Sequence, residues 1–302
     1  MTVLVVGGTG IDTVVPVGEL PILAADGVQA AGPVRTFVSH TGTCVALGLR
    51  NLGVEVTVAD AVGDDEEGRR ITAAFAGWGI PLRTAISTGG TRRAVNLMDP
   101  HGRRLSIFDA RVVPGYRLPV ETYRPLLDRA RHVHVTLTGW ARHLLAEART
   151  GGRTVSTDLH DWNGTDDYHR DFALGADLVF VSGVQLGDRA AEVARWILAD
   201  GVASHVVVTA GAAGADLYTA GGHLHEPAAD LYTAGGHLHE PAADPGGPIV
   251  DSNGAGDALA AAFLAALSDG LDDAACLRRG AIAGAYACTR PVGPDGFIRR
   301  QD

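Results

Sequence analysis

The segment Ile249-Val-Asp-Ser-Asn-Gly-Ala-Gly-Asp257 is the most informative part of this chain, and an apolar helical run, 258–267, follows it directly. Glycines at 254 and 256, at the start of a helix, let the backbone approach an anion closely. The free amides of the first turn and the helix dipole both favour a bound phosphate. We therefore predict an anion-binding helix N-terminus in which Asp257 accepts a proton from a hydroxyl nucleophile. The alternative is a simple N-cap, which would not require Gly-Ala-Gly before it.

The basic residues narrow the ways in which this chain can handle phosphate, because all 25 of them are arginine. Without lysine, the P-loop, the protein-kinase arrangement and Schiff-base chemistry are excluded. Phosphate binding must then rely on backbone amides, helix termini and arginine.

Size, charge and cysteine content exclude other classes. The 302 residues are 46% hydrophobic, too apolar for a disordered chain, and the net charge of −10 disfavours nucleic acid or an anionic membrane as a main partner. No run approaches the roughly 20 apolar residues of a membrane helix. Cys44, Cys276 and Cys288 are widely spaced, which indicates buried thiols rather than disulfides or a zinc site. We expect a soluble, cytoplasmic protein.

Short apolar strands alternate with helical segments along most of the chain, which predicts an α/β fold with a mostly parallel, doubly wound sheet. The predicted strands are 3–6, 54–58, 132–137, 154–158, 178–181 and 206–209; the predicted helices are 41–52, 65–78, 120–130, 141–150, 189–200 and 258–267. The β-rich segments at about 13–38 and 91–110 do not fit the alternation. We predict one large domain, 1–302, in which these two segments form a small β-sheet lid.

A tandem duplication interrupts the pattern, because residues 216–229 are repeated identically at 230–243. Each copy is typical of strand, Gly-Gly turn and strand, so we predict duplicated hairpins at a sheet edge. The copies also carry two His-x-His pairs, His223/His225 and His237/His239. A metal site there is a minor alternative, since no carboxylate or cysteine cluster accompanies the histidines.

Several ordered motifs resemble one family. The segment Asp251-Ser-Asn-Gly-Ala-Gly-Asp257 resembles the D-T-x-G-A-G-D signature of the ribokinase-like carbohydrate kinases, the PfkB family. Four further segments are similar to its V-G-x-D-x-x-G motif, its G-I/V step, its lid hairpin and its T-x-G-x-x-G nucleotide loop: 62–68, 79–81, 91–104 and 208–214. The resemblance implies a ribokinase-like three-layer α/β/α core, and transfer of the γ-phosphoryl group of ATP to a hydroxyl of a sugar. A nucleoside is the alternative acceptor.

The resemblance also implies roles for individual residues. Asp257 would be the general base, and Gly254, Ala255 and Gly256 would form the anion hole. The expected cofactors are ATP and Mg²⁺, with K⁺ as a further candidate at Asp251. The residues that would contact the nucleotide are Thr209, Gly211, Gly214 and Asn253. The residues that would contact the acceptor are Asp12, His40, Gly42, Cys44 and Asp257.

Two departures from the family pattern affect these roles. The family's G-G-x-x-x-N-x-A acceptor motif aligns with 39–46, where His40 replaces a glycine and Cys44 replaces the asparagine. A thiol offers little hydrogen bonding, so we expect His40 to make a new contact with the acceptor. Gln185 stands where the family has a glutamate near magnesium. It keeps the length but not the charge, so we expect only weak, outer-shell binding of Mg²⁺.

Two alternative functions and one possible assembly remain at this stage. The departures at Cys44 and Gln185 would also suit a ligand sensor that kept the kinase fold but lost turnover. Gly7-Gly-Thr-Gly10 after the first strand suggests a dinucleotide oxidoreductase, although its spacing misses G-x-G-x-x-G. Exposed lid edges would favour a homodimer through the lid.

Overall fold

The computed structural model describes residues 2–23, 26–101, 103–220 and 236–301. The strands are β1 (Thr2–Val6), β2 (Gly10–Pro16), β3 (Arg35–Ser39), β4 (Glu55–Val62), β5 (Leu82–Ile86), β6 (Arg93–Met98), β7 (Arg104–Asp109), β8 (His132–Val135), β9 (Thr154–Asp158), β10 (Leu178–Ser182), β11 (His205–Thr209), β12 (Ala215–Thr219) and β13 (His237–Glu240). The helices are α1 (Thr41–Asn51), α2 (Glu66–Trp78), α3 (Val120–Leu127), α4 (His143–Thr150), α5 (Asp167–Gly175), α6 (Ala190–Asp200), α7 (Ala255–Ser268) and α8 (Asp273–Cys288).

A nine-stranded sheet in the order β13-β12-β11-β10-β9-β8-β1-β4-β5 forms the centre of the molecule. All neighbouring pairs from β11 to β5 are parallel, and β12 and β13 continue the edge antiparallel. One apolar cluster packs α1, α7 and α8 on one face, and a second packs α3, α4, α5 and α6 on the other. The predicted three-layer α/β/α fold is confirmed.

Burial explains the central strand and the most apolar helix. Residues 3–6 of β1 are all fully buried, as expected for a strand covered on both faces. Helix α7 is rich in alanine, so that α1 approaches it closely. A Cβ atom added to Gly48 of α1 would lie 2.6 Å from that of Ala261. The small residues therefore set how tightly these two helices pack beneath the functional edge of the sheet.

A second, four-stranded sheet in the order β3-β2-β6-β7 stands beside the core. Its strands come from the segments at about 13–38 and 91–110, which do not fit the alternation of strands and helices along the sequence. Strand β2, however, begins at Gly10 rather than near 13. Two carboxylates, those of Asp60 and Asp65, bind the residues that directly precede β6 of this sheet. Asp65 Oδ1 accepts the Thr91 hydroxyl at 2.6 Å and Oδ2 accepts the Thr91 amide at 2.9 Å, while buried Asp60 pairs with Arg92. Asp65 also caps α2, through the amide of Gly68.

The duplicated segment contributes one hairpin to the described structure. Strand β12 belongs to the first copy and β13 to the second, and Leu217 pairs with Leu238. Residues 221–235, with His223 and His225, lie outside the described residues. His237 and His239 both contact Asp216 Oδ1, at 2.8 and 2.9 Å. Among the described residues, no group of three or more His, Cys, Asp or Glu side chains could hold a metal ion.

The sequence prediction did not include β5, α5 and α8. Helix α5 is polar along much of its length, and α8 is built mainly from small residues, so neither has a clear apolar stripe. Tertiary packing stabilises them instead, and α8 makes its most extensive contacts with α7. None of the described helices is both long and apolar enough to cross a bilayer.

Candidate active site

Helix α7 begins at the edge of the sheet where the parallel strands end, and its first turn faces a cleft. Gly254 is the N-cap with φ of +77°, a conformation that favours glycine. Gly256 is exposed, and a Cβ atom there would contact only Asp158 Oδ2, at 3.9 Å. Within the described residues, the amides of Gly256 and Asp257 donate no hydrogen bond, whereas that of Ala255 donates to Ser252 O at 3.3 Å. Two amides without a hydrogen-bond acceptor among the described residues thus lie at the segment where the sequence predicted an anion hole.

The Asp257 carboxyl lies in a site that favours its neutral form. Burial and the nearby Asp158 carboxylate raise the pKa of Asp257 to about 6, despite opposing contributions from Thr41, His160 and Arg104. The Thr41 hydroxyl, on the first residue of α1, donates a short hydrogen bond to Asp257 Oδ1. A carboxylate with a pKa near 6 is ionised at neutral pH and is a stronger base than an ordinary aspartate.

The floor of the cleft combines Asp12 with residues that depart from the family pattern. Asp12, on β2, is 8% exposed, and His40 Nε2 lies 3.1 Å from its Oδ1. Burial alone would raise the pKa of Asp12, but His40 and Ser39 outweigh it and hold this pKa below its usual range. Cys44 is buried, with Sγ 3.7 Å from the Ser39 hydroxyl, and burial raises the pKa of this thiol. Its low hydrogen-bonding capacity leaves Asp12 and His40 as the polar groups of the floor.

The second sheet reaches the anion-hole segment directly. The Arg104 guanidinium, at the start of β7, donates to the side-chain oxygen of Asn253. Burial raises the pKa values of Asp251 and Asp257, and the charge of this guanidinium opposes that rise without outweighing it. An arginine from the second sheet thus places a positive charge one residue from Gly254.

The cleft extends well beyond these residues, with a volume of about 1140 Å³. Aromatic side chains from the connections after β7, β8 and β9 form one wall. Tyr116 and Trp140 meet edge to face at 6.2 Å between ring centroids, and the Arg142 guanidinium lies 5.1 Å from the Tyr168 ring. We call Tyr116, Trp140 and Tyr168 the aromatic wall. It offers flat apolar surfaces beside several arginine donors, a combination that suits a large hydroxylated ligand.

The predicted nucleotide residues lie at the ends of neighbouring strands. Thr209 is the last residue of β11, and the exposed Gly211, with φ of +56°, opens the turn after it. Gly214 is buried, and a Cβ atom there would lie 2.1 Å from the Glu240 carbonyl oxygen, so it permits close packing of β13. Gln185 is exposed just beyond β10. Thr209 and Gly211 therefore remain nucleotide candidates, and Gly214 has a packing role.

Asp251 is the candidate ligand for a monovalent cation. It is 1% exposed, burial raises its pKa, and its Oδ2 atom has no hydrogen-bond partner among the described residues. The Arg35 guanidinium lies 3.5 Å from this oxygen. A buried carboxylate oxygen without a hydrogen bond fits the donor chemistry of a hard cation.

The structure brings Asp12, His40, Cys44, Asn253, Gly254 and Asp257 together around one cleft. Gly42 does not line it; a Cβ atom there would lie 2.0 Å from the Gly7 carbonyl oxygen, so this glycine lets α1 pack on the turn after β1. Sequence reasoning missed the hydroxyl of Thr41 and the aromatic wall. One signal was available for the wall, because Trp140 follows the carboxyl end of a parallel strand, where ligands gather in such sheets.

Comparisons with known proteins assign the chain to a family. A profile described as pfkB family carbohydrate kinase matches residues 175–293. The acarbose 7(IV)-phosphotransferase of Actinoplanes sp. is 40% identical over 299 residues, covering 99% of this chain and 95% of that protein. The solved structure of the microbiome-derived acarbose kinase Mak1 superposes with a TM-score of 0.87 at 41% identity, covering 99% and 96% of the two chains.

A more distant structure shares only the fold. The Arabidopsis thaliana ribokinase complexed with ribose and ATP has a TM-score of 0.77 at 18% identity, over 99% of this chain and 96% of that one. The extent of the 40% identity and the start of α7 exclude the oxidoreductase and ligand-sensor alternatives. This chain belongs to the PfkB family of carbohydrate kinases, and it is a phosphotransferase that acts on a sugar hydroxyl.

Proposed function

We propose that this kinase transfers the γ-phosphoryl group of ATP to a hydroxyl of an oligosaccharide of the acarbose type. The observation that carries the proposal is the continuous cleft that runs from Asp257 to the aromatic wall. Its volume of about 1140 Å³ exceeds the usual range of roughly 300–1,000 Å³ for small-ligand pockets. A monosaccharide would leave most of this space unfilled. The relative at 40% identity acts on acarbose by its name.

In the proposed reaction, Asp257 accepts the proton of the attacking hydroxyl. The hydroxyl oxygen forms a bond to the γ-phosphorus, the bond from that phosphorus to the β–γ bridging oxygen breaks, and ADP leaves. The free amides of Gly256 and Asp257, with the helix dipole, stabilise the charge on the transferring group. Thr41 orients the carboxylate through its hydrogen bond to Oδ1. Arg104 adds a positive charge from the second sheet.

The cation assignments belong to the same proposal. Mg²⁺ would be carried mainly by the nucleotide phosphates, because Gln185 is an exposed neutral side chain that suits only a hydrogen bond to metal-bound water. The residues present thus fit outer-shell rather than direct binding. Asp251 would hold K⁺ through Oδ2, which accepts no hydrogen bond from the described residues and would exchange its ion pair with Arg35 for the cation. Bound Mg²⁺ neutralises charge that develops on the phosphates during transfer.

A nucleoside acceptor is the second candidate, and the lining of the cleft favours the sugar. Arg92 lies over the Trp140 ring and Arg142 over the Tyr168 ring, so guanidinium donors accompany the aromatic residues of the cleft. Arginine donors match the many oxygens of a linked sugar chain.

The reaction consumes ATP, so the cytoplasm remains its expected location. The homodimer through the second sheet remains a prediction.

The experiment is an acceptor screen that measures ADP release and the mass of the product. We expect acarbose to give a phosphorylated product with a far higher kcat/KM than ribose, fructose or adenosine. Trp140→Ala should raise KM for acarbose about tenfold and leave the weak monosaccharide reaction unchanged, since only the longer acceptor reaches the wall. Equal or better turnover of adenosine would contradict the proposal. Replacing K⁺ by Li⁺ in the assay tests whether Asp251 holds K⁺.

A further inference from the structure

The backbone of His40 is held in a conformation that its side chain does not favour. With φ of +74° and ψ of +161°, it lies in a region that is essentially restricted to glycine. The residue is the N-cap of α1, but its side chain makes no capping hydrogen bond. A glycine would therefore adopt this backbone conformation at a lower cost in free energy. Strain of this kind persists at functional sites where the side chain itself is needed.

The His40 imidazole occupies a defined place on the floor of the acceptor cleft. It lies over Gly10, where an added Cβ atom would come within 2.6 Å of its Cε1 and Nε2 atoms. Beyond Gly10 it reaches Asp12, with Nε2 3.1 Å from Oδ1. Nε2 is buried, and the ring edge that carries it faces the Asp12 carboxylate. The ring thus fills the floor between Gly10 and Asp12.

Contact with His40 changes what Asp12 offers to an acceptor. The imidazole lies against Oδ1 of this carboxylate, so a sugar hydroxyl cannot reach both carboxylate oxygens freely. A free monosaccharide, which has few other contacts, depends on such hydrogen bonds for its affinity. A linked sugar chain also binds along the aromatic wall, so it tolerates the narrower floor.

We propose that the His40 side chain determines acceptor size, by closing the floor over Gly10 and Asp12 so that a sugar chain anchored on the aromatic wall is preferred to a free monosaccharide. This inference rests on the proposed function. His40 also adjoins Thr41, whose hydroxyl holds Asp257 Oδ1. The ring is therefore next to the segment that positions the proposed base.

The test compares kcat and KM for acarbose and for ribose in the wild type, His40→Gly and His40→Ala. Both variants remove the ring, so in both the ratio of kcat/KM for acarbose to that for ribose should fall at least tenfold, mainly through KM. Only His40→Gly also relieves the backbone, so it should melt several degrees above His40→Ala. His101→Gly, in the exposed turn of the second sheet, is the control and should leave the ratio unchanged.

The outcomes separate this inference from the proposed function. If the wild type phosphorylates no oligosaccharide, the proposed function is wrong and the inference falls with it. If the wild type prefers acarbose and both His40 variants keep the wild-type ratio, only the inference is wrong. If His40→Gly alone changes the ratio, the backbone of α1 rather than the imidazole sets the specificity, which also overturns the inference.

Discussion

Two carboxylates face the same cleft from different parts of the molecule, and their surroundings move their pKa values in opposite directions. Asp12, on the second sheet, has its pKa held below the usual range by His40 and Ser39 despite its burial. Asp257, on the core helix α7, has its pKa raised to about 6 by burial and by Asp158. Such a separation assigns different tasks. In the proposed reaction, Asp12 stays ionised and binds the acceptor, whereas Asp257 accepts a proton from it.

The contrast extends to the groups around each carboxylate. Beside Asp257 lie the backbone amides of the first turn of α7, whose positions depend on where the helix starts rather than on side-chain identity. Around Asp12 the groups are side chains, and here the chain departs from the family pattern. A fold of this kind can thus change its acceptor without changing its chemistry.

The largest expected effect comes from removing the base. Asp257→Asn keeps the size and the contact with Thr41 but cannot accept the proton, so kcat should fall by about 10²–10⁴-fold. Nucleotide affinity, measured by titration calorimetry, should change little. Asp167→Asn, in the first turn of the exposed helix α5, is the matched control. A fall of less than tenfold in kcat would show that Asp257 is not the base.

The raised pKa of Asp257 predicts how activity depends on pH. Because only the ionised carboxylate accepts a proton, kcat should fall about tenfold per pH unit below about pH 6. Asp12 should not contribute to this limb, because its pKa lies lower. An acid limb with a midpoint near pH 4 would contradict the assignment.

The same shift predicts how stability depends on pH. The pKa of Asp257 rises from 3.8 to about 6 on folding, so the folded state favours the protonated form. That stabilisation is complete below pH 3.8 and is lost as the pH rises through about 6. Asp257→Asn should therefore have a higher Tm than the wild type at pH 7.5, and the difference should shrink toward pH 5. Differential scanning fluorimetry across this range measures it.

The smallest effect is expected far from both carboxylates, at the duplicated segment. Deleting 221–234 leaves one copy of the repeat and joins Ala220 to Gly235, ahead of the Gly236 carbonyl that accepts the Thr219 amide at 2.9 Å. Strands β12 and β13 keep their sequences, so the free energy of unfolding should change by less than about 1 kcal/mol. Values of kcat and KM should remain those of the wild type. A loss of activity would instead show that the second copy of the repeat contributes to function.

The residues around α7 show how much of the fold and site could be predicted. The glycines before Asp257 and the apolar run after it predicted the helix start, because both signals lie within one turn of the chain. The buried strands were predicted for the same local reason, although their ends differ by a few residues. Of the aromatic wall, only Trp140 could be predicted, because it follows the end of a parallel strand. Tyr116 and Tyr168 lie on separate connections that only the sheet brings together.

The sequence by itself determined the layered α/β architecture and the position of the proton acceptor, since short-range periodicity and helix-start chemistry need no distant partner. Only the tertiary structure decided the properties of the site. The Thr41 hydroxyl reaches Asp257 across 216 positions of the chain, and Asp158 raises its pKa from the end of another strand. These effects depend on strand order and burial, because electrostatic and hydrogen-bond energies follow distance in space rather than separation along the chain.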